Sequence, residues 1–192
     1  YPLAGIIGII VGIPNLGIIY IGIEHAKRCG QKKTLVRSTY LAIIFQTILM
    51  FMMIFSDLTN VSLRHINFIT VVFTLLNGVK SISNNIVVPM IADCTDYEYT
   101  LSGHFVPGIM GALFSFIDKS FSALGTGFVG IALAIAGYSK VFPQVEDPLT
   151  PQLKFLTIFF YCIIPIIGWI VTIFIMRFYK LDKNTMRGLY KK

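Results

Sequence analysis

Two lysines in apolar surroundings and one short acidic run carry the chemistry of this sequence. Lys80 lies within LLNGVKSISNN, and Lys119 lies within SFIDKSFS directly after Asp118. Asp93, Asp96 and Glu98 are grouped in PMIADCTDYEY at 89–99. Aspartates three apart suit a divalent metal, an enzyme motif or an ion-pair latch. Membrane enzymes that hold a metal through D-x-x-D continue with Gly and then Ala-Arg. Here Asp96 is followed by Tyr97, and no second aspartate pair comes downstream, which excludes that chemistry. Cys29, Cys94 and Cys162 lack CxxC spacing, so neither a metal thiolate nor a disulfide framework is expected. His25, His65 and His104 fall near the ends of apolar stretches, away from any nucleophile. We therefore expect no enzyme, no metal and no cofactor.

The elements that position these residues follow from composition. The chain has 192 residues, 55% hydrophobic and 13% charged, with mean hydropathy +0.76. Soluble domains carry about 25% charged residues, so disordered, disulfide-rich and nucleic-acid-binding classes are excluded. The net charge of +7 fits basic loops beside a membrane better than nucleic acid. The chain opens at Tyr1 on an apolar segment without Met or a charged n-region. That reads as a fragment of an integral membrane protein, and as neither a signal peptide nor a natural start.

A helix needs about 20 apolar residues to cross roughly 30 Å of hydrocarbon. Five stretches qualify, at 3–23, 38–56, 66–91, 105–137 and 153–176, with a tail at 177–192. Lipid offers the backbone no hydrogen bonds, so all five are predicted to be helical, making residues 1–192 one all-α bundle. The 24–37 segment holds Lys27, Arg28, Lys32, Lys33 and Arg37, and the tail holds Arg177, Lys180, Lys183, Arg187, Lys191 and Lys192. The opposite side holds only Arg64, Lys140 and Lys154. The positive-inside rule then places the 24–37 loop and the C-terminus in the cytoplasm and the N-terminus of this chain outside. The acidic 92–104 segment reads as a cytoplasmic loop. Transporter folds repeat three-helix units, so five helices look like six with one missing.

A charge at the bilayer centre costs about 2.5–3.5 kcal/mol on insertion scales. Lys80 and Lys119 should therefore avoid lipid. Asn77, Ser81 and Asn84 follow i, i+4, i+7 spacing, with Lys80 and Asn85 flanking, and Ser115, Lys119, Ser122 and Thr126 form a second set. At 3.6 residues per turn each set is one polar stripe. Two such stripes describe a wet cavity, or else helices bonded to one another through their hydroxyls and amides. Gly108, Gly111, Gly125, Gly127 and Gly130 suggest close helix packing. Pro89, Pro107 and Pro165 are candidate kinks.

The run PMIADCTDYEYTLSG, followed by GIMGALFSFIDKSFSALGTGFVGIALAIAGY, resembles the glycoside–pentoside–hexuronide:cation symporters, the melibiose-carrier group of the major facilitator superfamily. With AKRCGQKK and the basic tail, the resemblance covers essentially the whole chain and matches that family's last five helices in order. It implies the C-terminal bundle of a major facilitator fold in the cell membrane. It further implies Na⁺- or H⁺-coupled symport of a sugar or glycoside by alternating access. Carried over residue by residue, it implies that Lys119 faces the pathway and that Asp93 and Asp96 belong to a cytoplasmic gate; from the residues themselves, Asp118 is the expected partner of Lys119 and Glu98 the expected third member of the gate. Asn77, Lys80, Asn84, Ser115 and Ser122 would line the cavity. Lys27 stands where the family's loop motif has an aspartate. The coupling-ion ligands and the family's main sugar contacts would lie in N-terminal helices outside this chain. The rival reading is a truncated, non-transporting scaffold or partner subunit.

Overall fold

In the computed structural model, residues 2–55, 63–138, 150–181, 185–186 and 188 are described, and all their regular structure is helical. Helix α1 spans Pro2–Cys29, α2 Gln31–Phe55, α3 Leu63–Ser102 and α4 Pro107–Ile135. The fifth rod is composite: α5 (Pro151–Ile158), a π-helical turn (Phe159–Ile163) and α6 (Ile164–Met176). Helices Gln31–Phe55, Phe68–Ser102, Pro107–Ile135 and Pro151–Met176 are long and apolar enough to cross a membrane. The five-helix count agrees with the sequence reading.

Helix limits depart from it in two places, each with a local cause. The basic 24–37 segment is helical, because the chain turns on a single residue. Gly30 has φ +93°, its N–H closes on the Ala26 carbonyl at 2.8 Å, and its own carbonyl accepts from the Thr34 N–H at 3.2 Å. The acidic 92–104 segment is no loop up to Ser102. Nothing in ADCTDYEYTLS breaks a helix, so α3 runs 40 residues to Ser102. It stops at Gly103, with φ +72°. Forty residues span about 60 Å, twice the hydrocarbon thickness, so Asp93, Asp96 and Glu98 ride on a helical extension. The side chain of Arg64 and the residues Lys140, Lys183, Arg187, Lys191 and Lys192 lie outside the described part.

The bundle is built around the α2–α3 pair, with α1 against α3 and α6 against α2. One core layer joins Ala42 and Leu49 of α2 to Val72, Leu76 and Val79 of α3, with Trp169 of α6 packed on it. A second, towards Gly30, joins Leu35, Ile86, Met90 and Met176. Lipid tails are as apolar as these side chains, so packing and hydrogen bonds, not water exclusion, hold such helices together. Two features supply this. Gly78 of α3 receives Ile18 of α1, and Gly22 of α1 receives Ile82 of α3. Across α2 and α3, the Ser38 and Ser83 hydroxyls share a 3.0 Å hydrogen bond. The glycines expected to bring α4 close to its neighbours do no such thing. Gly108, Gly111, Gly125, Gly127 and Gly130 all face open space.

Gly30 gives a first prediction. At φ +93° an L side chain is strained, and a left-handed L-residue costs about 1–2 kcal/mol. Gly30→Ala should lower the thermal midpoint of the detergent-solubilised protein by roughly 2–8 °C. An unchanged midpoint would show that the α1–α2 turn relaxes freely.

Candidate functional site

Successive residues of a helix point about 100° apart, and α3 divides its circumference accordingly. Leu76, Val79, Ser83, Ile86 and Met90 meet α2, whereas Gly78 and Ile82 meet α1. Lys80 turns to the fifth rod. Its ammonium lies 5.3 Å from the ring centroids of both Tyr161 and Trp169. The remaining face carries Thr74, Asn77, Ser81, Asn84 and Asn85, half-buried to exposed. Thr74 donates to the Thr70 carbonyl, Asn77 to Phe73 and Asn85 to Ser81, each at 2.8 Å. These bonds satisfy one donor per side chain within the helix itself, and the stripe is most open at Asn84 and Asn85.

The Lys80 cage was not legible in the stripe. A cation over an aromatic face gains about 0.5–2 kcal/mol, so two rings offset much of what desolvating this ammonium costs. Trp169 is the single tryptophan of the chain, and Tyr161 sits in the π-helical turn. That turn has an identifiable origin. Pro165 has no N–H to offer the carbonyl four residues earlier, which is Tyr161. The Ile164 N–H meanwhile reaches five residues back, to Phe159. Gln46, fully buried on α2, donates its amide to the Tyr161 carbonyl at 3.0 Å. A glutamine inside the 38–56 apolar stretch was the signal that could have found it.

This pairing supports a second prediction. Gln46→Leu strands the Tyr161 carbonyl, which costs about 1–3 kcal/mol, or roughly 2–12 °C in thermal midpoint. In a Pro165→Ala background the helix recovers its own N–H, and the same substitution should cost markedly less. Equal costs in both backgrounds would refute the link between proline and glutamine.

Helix α4 stands apart from the bundle. It touches α3 and α5 only sparsely, and none of its residues is buried. Lys119, near its midpoint, pairs with Asp118 at 3.5 Å, and their side chains are 83% and 49% exposed. Ser115 and Ser122 are likewise exposed. Thr126 donates to the Ser122 carbonyl at 3.0 Å. Among the described residues no hydrogen bond or ion pair joins this stripe to that of α3. The chain thus presents two separate polar surfaces.

At the Gly30 end the acidic and basic groups share one surface. Glu24 holds Arg28 at 3.1 Å, and Arg37 donates to His25 Nε2 at 3.0 Å. A guanidinium can only donate, so that ring carries its proton on Nδ1, facing Cys29 Sγ at 3.9 Å. The Lys32 ammonium donates to the backbone carbonyl of Tyr179 and ties the tail to α2. Burial, then the nearby Cys94 and Asp93, push the Tyr179 phenol above its ordinary range. The phenol is therefore neutral throughout physiological pH. Among the described residues neither Asp93 nor Glu98 forms an ion pair with a basic side chain. No group of His, Cys, Asp and Glu among the described residues is arranged to hold a metal ion.

An all-helical bundle of membrane-length helices, with polar stripes and intramembrane lysines, defines a multi-pass membrane protein. Residues 2–183 match the model of the MFS/sugar transport protein family, and the chain belongs to that family. Its architecture is accordingly part of a major facilitator fold, and membership of a transport family agrees with the expectation that it is not an enzyme. It is 27% identical over 177 residues to the isoprimeverose transporter of Lactiplantibacillus pentosus. That match covers 91% of this chain and 34% of the relative, so the chain spans about a third of the relative's length. No solved structure matches it.

Proposed function

We propose that this chain is the C-terminal part of a carrier that moves a sugar or glycoside by cation-coupled symport and alternating access. The observation that carries this reading is the polar face of α3, open between α1 and the fifth rod, on a helix long enough to cross the bilayer. Asn77 and Asn84 offer amides to solute hydroxyls along that face, and Lys80 borders it. Lys119 and Asp118, with Ser115 and Ser122, form the second lining surface on α4. A bare ion pair at membrane depth needs a polar cover, and the N-terminal helices of the same carrier supply it. One bundle then rocks against the other around the solute.

Asp93, Asp96 and Glu98 share one end of the bundle with Lys27, Arg28, Lys32, Lys33 and Arg37, which suits an inner gate. Exposed ion pairs are worth about 0–1 kcal/mol each. A gate made of them opens and closes within the few kcal/mol that solute and ion binding provide. On this reading the basic end and the C-terminus lie in the cytoplasm, in keeping with the positive-inside rule, with the N-terminus of the chain outside and the carrier in the cell membrane. Na⁺ or H⁺ drives the cycle through ligands in the N-terminal helices.

Uptake in membrane vesicles tests the reading. The name of the relative makes isoprimeverose the first solute to try. An imposed Na⁺ or H⁺ gradient should drive its accumulation by the complete carrier, and Asn84→Leu should weaken solute affinity. Equal solute levels inside and out under both gradients would contradict coupling.

A further inference from the structure

At the end of the bundle opposite Gly30, α2, α3 and the fifth rod border a half-open cleft of about 370 Å³ lined by Met52, Met53, Ile69, Phe73, Thr157 and Tyr161. No polar surface faces it. The Thr157 hydroxyl is turned to its own helix, donating to the Leu153 carbonyl at 2.8 Å. Apolar cavities of about 150 Å³ already stay dry and take up apolar guests, and this one is larger. A sugar placed here would forfeit its hydrogen bonds at a cost of several kcal/mol. The cavity is therefore separate from the polar faces proposed for solute, and its occupant is a hydrocarbon.

The rim says which hydrocarbon. One helical turn from Thr157, towards the start of α5, Lys154 donates its ammonium to the carbonyl of Ile54 at 3.2 Å. Ile54 follows Met53 in the last turn of α2, whose terminal carbonyls have no helical donor. That bond uses one of three ammonium donors. Lys154 thus offers ammonium donors in reserve where α2 ends and α5 begins, and the ends of membrane-length helices fall where a bilayer carries its headgroups. The paired methionines add thioether side chains that adapt to an irregular guest.

We propose that this cleft binds one anionic phospholipid, an acyl chain filling the space beside Met52, Met53 and Phe73 and its phosphate held by Lys154. The inference needs only that the bundle lies in a bilayer, and it stands whether or not the transport reading does.

The test is photolabelling of the purified protein in phosphatidylcholine nanodiscs. The probe is a phosphatidylglycerol carrying a diazirine on one acyl chain. Crosslinks should centre on Met52, Met53 and Thr157. A phosphatidylcholine probe with the same chain should label these sites about fivefold less, as should the phosphatidylglycerol probe on Lys154→Gln, since one lysine is worth about that factor towards an anionic headgroup. Met52→Trp, which fills the space, should abolish the crosslinks. The headgroup comparison uses the unaltered protein and the Lys154 change lies outside the core, so both read out even if Met52→Trp folds poorly. Equal labelling by the two headgroups would overturn the proposal. So would crosslinks spread over outward residues such as Phe128 and Phe174, the mark of bulk lipid alone.

Discussion

Lys119→Ala in the complete carrier should abolish gradient-driven accumulation while leaving the protein folded and inserted. The Lys119 side chain is 83% exposed and pairs with Asp118 at 3.5 Å, so its removal leaves no hole among the described residues. What it removes is a charge that membrane insertion disfavours by about 2.5–3.5 kcal/mol and that the proposed pathway role accounts for. Coupling between two ligands is typically worth 1–3 kcal/mol, a factor of about 5–150. The ratio of gradient-driven to equilibrating uptake should fall by that range, and Lys119→Arg should recover part of it. Unchanged accumulation would remove Lys119 from the pathway.

Gly78→Leu is the substitution expected to cost most in stability. A Cβ at this position would stand 2.6 Å from Cδ1, 2.9 Å from Cγ2 and 3.0 Å from Cβ of Ile18. The last of these is anchored to the α1 backbone and cannot swing aside, so the helices must part. Overpacking costs about 1–3 kcal/mol, and the leucine places its whole side chain in that contact. In a bilayer α1 has no hydrophobic drive to return to α3 once the fit is lost. At the upper end of that cost the midpoint should fall by about 6–12 °C. Ile18→Ala should restore part of it in the double variant, because it vacates the space the leucine needs. Failure of that rescue would mean that the damage is not the α1–α3 contact. Gly127→Leu on α4 should change stability little, since nothing lies within 4 Å of it.

Those two glycines show which features a sequence displays and which it hides. Apolar length alone revealed five membrane-length helices, because crossing lipid demands that length and nothing else. The glycine count pointed to α4, yet the close contacts are at Gly22 and Gly78. A small residue matters only where a partner faces it, and the partner is set by tertiary packing. The acidic run misled for a related reason. Charge marks exposure to water, and exposure suggests a loop, although ADCTDYEYTLS contains no helix breaker before Gly103. Lys80 was conspicuous by its type, whereas its cage comes from Tyr161 and Trp169 on the last rod. The bond from Gln46 to the Tyr161 carbonyl was equally hidden. It depends on Pro165 leaving an acceptor vacant on a helix far along the chain.

Accessibility of the two polar stripes to water and solute is the most direct measure of the central claim. Asn84→Cys and Ser122→Cys would be introduced separately into the complete carrier, with Cys29, Cys94 and Cys162 replaced by alanine. Each would be treated with a membrane-impermeant maleimide, with and without sugar, beside an exposed apolar control, Phe174→Cys. Both stripe positions should label and should be slowed by the transported sugar, whereas the control stays unlabelled. If both stay as unreactive as Phe174→Cys, with sugar changing nothing, the stripes face lipid or neighbouring helices and the pathway lies elsewhere.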